Sequence, residues 1–519
     1  MRFTRPGTWK ESRETTWAAR RNETLEATVT DDVHSTWFHR VRKATAPWSP
    51  GGDTAVSRTA DSPGRSRARP RVVVVGSGFG GFGVLSHLER RLPADAAELV
   101  VVSPVDHLLY TSLLPQVSAN EAEPRHLAVS IRAALRRTTL RLGHVVAVDA
   151  AGGAGAAGGT DAGGGTVTIR RPDGFREKLR WDRLVLAPGA VTRTFDVPGL
   201  TDHALGLKNL AEAVYLRDHV LRQLEYADAC DDPAERRARC TFVVIGAGYT
   251  GTELAAQMTQ FTSRAVYQYP RLAEGDIRWI LADLAPRVLP ELRTALGDRA
   301  ARVLAARGVE VRLRTSVAEV SADSVRFTTG EIVATHTLVW CAGVSPSPLV
   351  ATLGLPTTRQ GRLVVDAQFR VPDVAGMFAL GDAAAVPDVT QGCQPAGQTA
   401  QHAVRQAAAA ARSVAASLGY ATARPYRHRN LGFIVDLGGT AAVADPLGVP
   451  LSGVPAAALT RMYHLRALPC LTNKTRVAAD WLLGAFTPRQ IVQLGFLPPA
   501  KSSISAAERT DIYTGSGAR

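Results

Sequence analysis

Residues 71–88, RVVVVGSGFGGFGVLSHL, decide the fold of this chain. Four consecutive valines, Val72 to Val75, predict a strand buried on both faces. Gly76, Gly78 and Gly81 follow in a G-x-G-x-x-G spacing that opens directly into an apolar helical pattern. Strand, tight turn and helix in this order bind dinucleotides for a physical reason. The first glycine permits the sharp turn, the second lets backbone approach a pyrophosphate, and the third lets helix pack on strand. The helix N-terminus then faces the negative charge. One such motif is weak evidence, because glycine-rich turns occur in other α/β units.

A second copy changes the weight. Residues 241–258, TFVVIGAGYTGTELAAQM, repeat the strand and place Gly246, Gly248 and Gly251 before a second helix. Two fingerprints about 170 residues apart imply two dinucleotide sites and an α/β chain with two Rossmann-like domains.

The 519 residues leave room for two or three domains, and 45% hydrophobic against 21% charged residues is a globular balance. No apolar run reaches the roughly 18 residues of a membrane helix, and the first residues lack an apolar core segment, so no secretory signal is expected. The net charge of +14 fits nucleic acid, an anionic membrane surface or an arginine-rich background. The arginines are scattered and no nucleic-acid motif is present, so membrane surface plus background is the expectation. Cys230, Cys240, Cys341, Cys393 and Cys470 form neither C-x-x-C nor C-x-x-x-x-C. That points to structural thiols in a reducing compartment. No metal site is expected.

Along the chain, residues 1–70 have no sustained period, and 51–71 are rich in Arg, Ser, Pro and Gly, so a disordered extension is expected there. Trp9, Trp17, Trp37 and Trp48 lie within it and read as marks of a docking element, from which no chemistry follows. Glu98 to Ser103 predicts the next strand of the first unit. Its end, where an acid usually meets ribose hydroxyls, carries Ser103, which still hydrogen-bonds. Residues 106–120, DHLLYTSLLPQVSAN, are apolar without a period and read as a buried loop or as a lining for a flavin. Residues 151–165, almost all Gly and Ala, read as a hairpin tip between strands at His144–Asp149 and Thr166–Ile169. Arg278 to Asp283 predicts a strand ending in an acid. A carboxylate there accepts from 2′- and 3′-hydroxyls and repels a 2′-phosphate, so NADH is expected over NADPH, with Arg287 opposing that preference.

Leu338 to Val344 closes this second unit with a strand and a turn at Gly343. Residues 371–382, VPDVAGMFALGD, end in Gly381-Asp382, placed either to hold a ribityl hydroxyl or to cap the next segment. Gln398 to Ser417 predicts an alanine-rich helix whose N-terminal dipole would favour negative charge on a flavin beneath it. The plainer reading of its Gln401, His402 and Gln406 is an exposed polar face. From Leu459 to Phe496, Met462, Leu465, Leu468, Val477, Trp481, Leu482 and Phe486 recur at near-helical spacing among Arg461, Arg466, Lys474 and Arg476. This suits helices lying in a membrane interface, and equally amphipathic helices packed on the core or on a second subunit. Beyond Pro498 a polar, disordered tail is expected.

These residues carry a resemblance. From about Arg71 to Phe496 the chain resembles the type II NADH dehydrogenases, single-chain NADH:quinone oxidoreductases that do not pump protons. VSPVDHLLYTSLLP (102–115), LADLAPRVLP, WCAGVSPSPL, ALGDAAAV and YHLRALPCLTNKTRVAADWLL are similar to family segments, and AQHAVRQ (400–406) resembles the A-Q-x-A-x-Q-Q pattern beside the quinone site. The resemblance implies that Gly76, Gly78 and Gly81, with Phe79, Gly80 and Ser103, hold FAD, and that Gly381 and Asp382 hold its ribityl chain. It implies that Gly246, Gly248 and Gly251, with Tyr249, Asp283 and Gly343, hold NADH. Glu253 would sit near nicotinamide and flavin, and Ala400 and Gln401 by the flavin ring where quinone arrives. Arg405 departs from the pattern by replacing the first closing glutamine.

The resemblance further implies a boundary set. Residues 1–70 would be an extension, 71–205 and 346–455 two parts of an FAD domain, and 206–345 an NADH domain. Residues 456–497 would be membrane-associating helices and 498–519 a tail. The enzyme would be peripheral on the cytoplasmic face of the cell membrane, with a homodimer open. Rival readings are a disulfide reductase, which lacks its cysteine pair here, a sulfide:quinone reductase using Cys341 and Cys393, a ferredoxin- or redoxin-type reductase, and an NADH-sensing flavoprotein without catalysis.

Overall fold

Strand β1 (Arg71–Val75) lies at the centre of the first sheet, and its four valines are buried, as a strand covered on both faces requires. The structure, a computed structural model, describes residues 69–150, 164–496 and 502–509. The N-terminal extension up to residue 68, with its four tryptophans, and the tip at 151–163 lie outside the described residues.

β2 (Glu98–Ser103), β3 (Thr138–Leu142) and β4 (Arg183–Leu186) join β1 in parallel register, Val72 opposite Leu99 and Arg183. The second sheet comprises β5 (Thr241–Ile245), β6 (Arg278–Asp283), β7 (Val309–Leu313) and β8 (Thr337–Trp340), also parallel, in the order β7–β6–β5–β8. The chain then returns to the first sheet. β9 (Met377–Ala379) pairs with β4, giving β9–β4–β1–β2–β3. In each sheet the fingerprint strand has neighbours on both sides, so its carboxyl end opens at the point where the strand order reverses. Ligands of doubly wound folds bind at such crevices.

Helices α1 (Phe79–Arg91), α2 (Leu210–Ala229), α3 (Tyr249–Ala265) and α4 (Ala400–Ser417) cover the sheets. The alanines of α4 have a packing reason. Ala403, Ala407, Ala410 and Ala411 are buried, and a Cβ at Gly83 of α1 would stand 2.6 Å from the Cβ of Ala407. Larger residues would hold the two helices apart.

A small antiparallel sheet (Ile434–Asp436, Ala442–Ala444, Leu451–Ser452) leads into α5 (Val454–Ala467) and α6 (Leu471–Phe486). Not all the apolar positions in this region point outward. Leu468, which follows α5, and Val477 of α6 are buried in the core, whereas Met462, Leu482, Leu483 and Phe486 are exposed, Phe486 by 81%. No helix among the described residues is long and apolar enough to cross a membrane.

The expectation of a wholly disordered tail is corrected for Ser502–Arg509. Ser503 bridges to Leu205, and a short helix, Ile504–Arg509, follows. One apolar side chain in the polar stretch explains this, since Ile504 is 0% exposed among the residues beneath the second sheet.

Candidate active site

The first turn divides its labour as the spacing demands. Gly76 has φ +97°, and a Cβ on it would strike the Ala187 carbonyl between β1 and β4. A Cβ on Gly81 would fall on the Gly76 carbonyl oxygen, so α1 can close on β1 only with glycine there. A Cβ on Gly78 would meet nothing within 4 Å, which leaves its face open to a ligand. Phe79 meets Tyr110 edge-on at 5.6 Å, and Gly80 packs beside Leu380. Ser103 is 1% exposed. Its hydroxyl pairs with that of Ser77 at 2.8 Å and accepts from the Val105 amide, so it braces the turn from beneath rather than facing outward. The expected ribose contact would have to be made by this same bracing hydroxyl.

Gly381 and Asp382 stand beside this turn. The Gly381 amide donates to Gln406 Oε1 at 2.8 Å. Gln406 has no exposure, and its Nε2 has no partner. The polar face expected on α4 is therefore buried at this position. The Asp382 carboxylate carries no hydrogen bond among the described residues, and burial raises its pKa against the pull of Lys208 and Arg362. Asp382 is the second residue of the short helical turn Gly381–Ala383, whose N-cap is Leu380. An open glycine face, an unpartnered amide and a free carboxylate fit a flavin nucleotide rich in phosphate and hydroxyl groups.

The second turn repeats the geometry. Gly246 has φ +110° beside Cys341, a Cβ on Gly251 would fall on the Gly246 carbonyl, and the face of Gly248 is open. Both oxygens of Asp283 are engaged, accepting from the Ala247 amide at 2.5 Å and the Ala285 amide at 2.6 Å. Asp283 thus fixes the turn as well as standing at the strand end. Arg287 donates to Thr294 and Pro290, so its guanidinium is committed elsewhere. Gly343 (φ +99°) accepts from the Arg193 amide, and Tyr249 stacks on Phe433 at 5.7 Å.

Glu253 lies on α3, two residues after Gly251. Its Oε1 accepts from the Asp436 amide at 2.8 Å, and burial raises its pKa well above 4.5. Asp436 Oδ2 accepts from Gln116 Nε2 at 2.7 Å, and Gln116 Oε1 accepts from Trp481 of α6 at 2.8 Å. At the start of α4, Thr399 caps the helix by accepting from the His402 amide, and Ala400 is the first helical residue. Gln401 donates to the Gly432 carbonyl at 2.8 Å, and Arg405 donates to Gln401 Oε1 at 3.0 Å. The departing arginine therefore orients the glutamine that the pattern keeps.

The five cysteines are unpaired, and burial pushes the Cys341 thiol up to about 12. A thiol that holds its proton so firmly is a poor nucleophile.

Residues 70–407 match the pyridine nucleotide-disulphide oxidoreductase family. The chain is also 30% identical over 426 residues to the type II NADH:quinone oxidoreductase NdhA of Mycobacterium tuberculosis, covering 80% of this chain and 86% of that one. The chain belongs to this family, among the type II NADH:quinone oxidoreductases. A second relative of this NADH:quinone oxidoreductase, demethylphylloquinone reductase NdbB of Synechocystis sp., is 30% identical over 426 residues, 80% of this chain and 96% of its own. The structure of NDH2 from Plasmodium falciparum in complex with NADH shares the fold, with TM-score 0.72 and 16% identity, covering 82% of this chain and 100% of that chain.

Sequence reading of this oxidoreductase did not single out Gln116 or Asp436, and took Trp481 only as an apolar position. The available signal was a single polar residue in an apolar run, Gln116 in LLPQVS and Asp436 in FIVDLG. Such a residue is buried only when partnered.

Proposed function

We propose that this chain oxidises NADH and passes two electrons through FAD to a membrane quinone without moving protons across the membrane. The observation that carries the reading is the pair of open glycine turns, in a chain whose last helices expose large apolar side chains. Nucleotides meet the turns, and a lipid-soluble acceptor calls for a surface that meets lipid.

Gly76, Gly78 and Gly81 take the FAD pyrophosphate at the N-terminus of α1, Gln406 offers its free Nε2 beside Gly381, and Asp382 accepts from ribityl hydroxyls. Gly246, Gly248 and Gly251 take the NADH pyrophosphate, and Asp283 holds that turn in shape while its charge disfavours a 2′-phosphate. When bound, the flavin supplies hydride acceptance and two-electron donation. Glu253 keeps its proton to higher pH than an ordinary glutamate, so it is poised to offer hydrogen at Oε2. Ala400 and Gln401 present the positive end of α4 to the ring, which favours negative charge there. Cys341 takes no part, because its thiol stays protonated.

The exposed residues of α5 and α6 dock the enzyme on the cytoplasmic face of the cell membrane, where NADH is available. A homodimer through the same face is the second reading, and lipid vesicles decide between the two. The reaction itself is tested anaerobically. NADH should bleach the visible flavin band and a soluble quinone analogue should restore it. Bleaching without recovery would move the acceptor to a soluble redox protein, and no bleaching with FAD bound would leave an NADH sensor.

A further inference from the structure

His402, Tyr426 and His428 lie side by side next to the proposed flavin and quinone site, and none is used in the mechanism above. The Tyr426 hydroxyl stands 3.1 Å from His402 Nδ1 and 3.1 Å from His428 Nδ1. The two imidazoles stack with centroids 4.0 Å apart. Tyr426 is buried, while His428 is half-buried between the exposed Arg427 and Arg429. The far edge of His402 rests on the turn that opens α4, since a Cβ on Gly397 would lie 3.6 Å from its Nε2. The next residue, Gln398, donates to the Asp382 carbonyl at 3.0 Å. The chain of three residues therefore runs from the surface to the loop beside Asp382.

We propose that His428, Tyr426 and His402 form a proton-input path that delivers one solvent proton per turnover to the quinone site at the N-terminus of α4. The inference rests on the NADH:quinone reading. NADH gives two electrons and one hydrogen as hydride, a quinol holds two electrons and two protons, and the second proton must come from water. His402 releases its proton from Nε2. Its Nδ1 takes the Tyr426 hydroxyl proton, Tyr426 takes the Nδ1 proton of His428, and His428 is reprotonated at Nε2 by solvent. Each ring ends in its other tautomer and resets by rotation.

The surroundings suit a relay of neutral groups. Burial, His428, Arg405 and Arg362 outweigh Asp388 and push His402 down to about 4. Burial and Arg405 lower His428 against the pull of Asp388. Burial pushes Tyr426 up to about 12. Asp388 is fully buried and accepts from the His428 amide at 3.1 Å and from Thr390, a fixed negative charge that steadies a passing proton.

The test uses the full FAD-loaded chain with Tyr426→Phe, which keeps the ring, and His428→Gln, which changes a half-buried side chain. Both should leave flavin bleaching by NADH unchanged and slow quinone-driven recovery by about 10-fold or more, with a larger effect in D2O. Recovery at the wild-type rate in His428→Gln overturns the path, even where Tyr426→Phe loses FAD or melts early. A readout independent of turnover is the ¹⁵N spectrum of labelled histidine. It should show neutral His402 with its proton on Nε2 and an Nδ1 signal that moves downfield in Tyr426→Phe. A proton found on Nδ1 of His402 overturns the direction of transfer. Wild-type enzyme that bleaches but does not recover with quinone sinks the functional reading instead, while the spectrum still decides whether the hydrogen-bonded chain exists.

Discussion

The indole N–H of Trp481 donates to Gln116 Oε1 at 2.8 Å, joining α6 to the apolar segment that follows β2. Gln116 passes the link to Asp436, and the Asp436 amide donates to Glu253 of α3. Four residues thus connect the exposed apolar helix with the Glu253 carboxyl group on the helix that follows the second turn. Buried networks of this kind hold their members in one arrangement when every partner is present.

Gln116→Leu is expected to break the network at its centre. It leaves Asp436 Oδ2 and the Trp481 indole without partners, at a cost of about 1–3 kcal/mol for a buried orphan. Trp481→Phe leaves one orphan instead of two, Gln116 Oε1, and should cost less, about 1 kcal/mol. Thermal unfolding of the two variants checks the order, and an equal effect would show that Asp436 does not depend on Gln116.

The two turns allow folding to be separated from binding. Gly81→Ala and Gly251→Ala put a Cβ on a carbonyl oxygen and should lower the melting temperature as well as nucleotide binding. Gly78→Ala and Gly248→Ala have open space, so the fold should stand while FAD content falls in the first and NADH affinity in the second. FAD absorbance per protein and melting temperature together give the answer. Normal FAD content in Gly78→Ala would mean that the pyrophosphate lies elsewhere.

The fold was legible because its signals are local. A valine run, glycines at fixed spacing and a helical period all fall within 18 residues of 71–88, and the sharp turn at Gly76 and the close packing at Gly81 reappear in the geometry. Much of the site was not, because its contacts are remote. Gln116 and Asp436 are 320 residues apart, and Gln116 and Trp481 are 365 apart. Strand-end position told that Ser103 and Asp283 lie at the nucleotide crevices, but not where their hydrogen bonds go. Ser103 turns under its turn to Ser77, and Asp283 spends both oxygens on backbone amides. Ile504 shows the converse, a single apolar residue that docks an otherwise polar tail.

Glu253 predicts a pH dependence of stability. Its pKa in the folded chain is raised by burial above the ordinary 4.5, so between 4.5 and the folded value the native state holds more protons than the unfolded one. Stability from this group falls as pH rises through that window and is flat below it. Glu253→Gln should match the native enzyme near pH 4.5 and melt higher at pH 8. Parallel melting curves across pH would show that Glu253 ionises normally.

Asp283→Asn should weaken the second turn and its selectivity together. The neutral amide loses the charge-assisted bonds from Ala247 and Ala285, worth about 1.5–3 kcal/mol to a charged acceptor. The KM for NADH should rise with kcat little changed, and NADPH should gain relative to NADH because the 2′-phosphate no longer meets a carboxylate. An equal change for both nucleotides would place the ribose away from Asp283.

The membrane docking proposed for the exposed face of α6 can be tested apart from the chemistry. Leu482, Leu483 and Phe486 are 62%, 60% and 81% exposed, so replacing them removes nothing from the core. Burying each such side chain in an apolar phase is worth about 1.5–3 kcal/mol. Leu482→Asp with Phe486→Asp should therefore lower co-sedimentation with anionic vesicles by at least about ten-fold, while bleaching of the flavin by NADH stays at the native rate. Trp481, one position before Leu482, keeps its bond to Gln116 and holds the helix in place. Unchanged vesicle binding, with loss of a dimer in sedimentation velocity, would assign this face to a second copy of the chain.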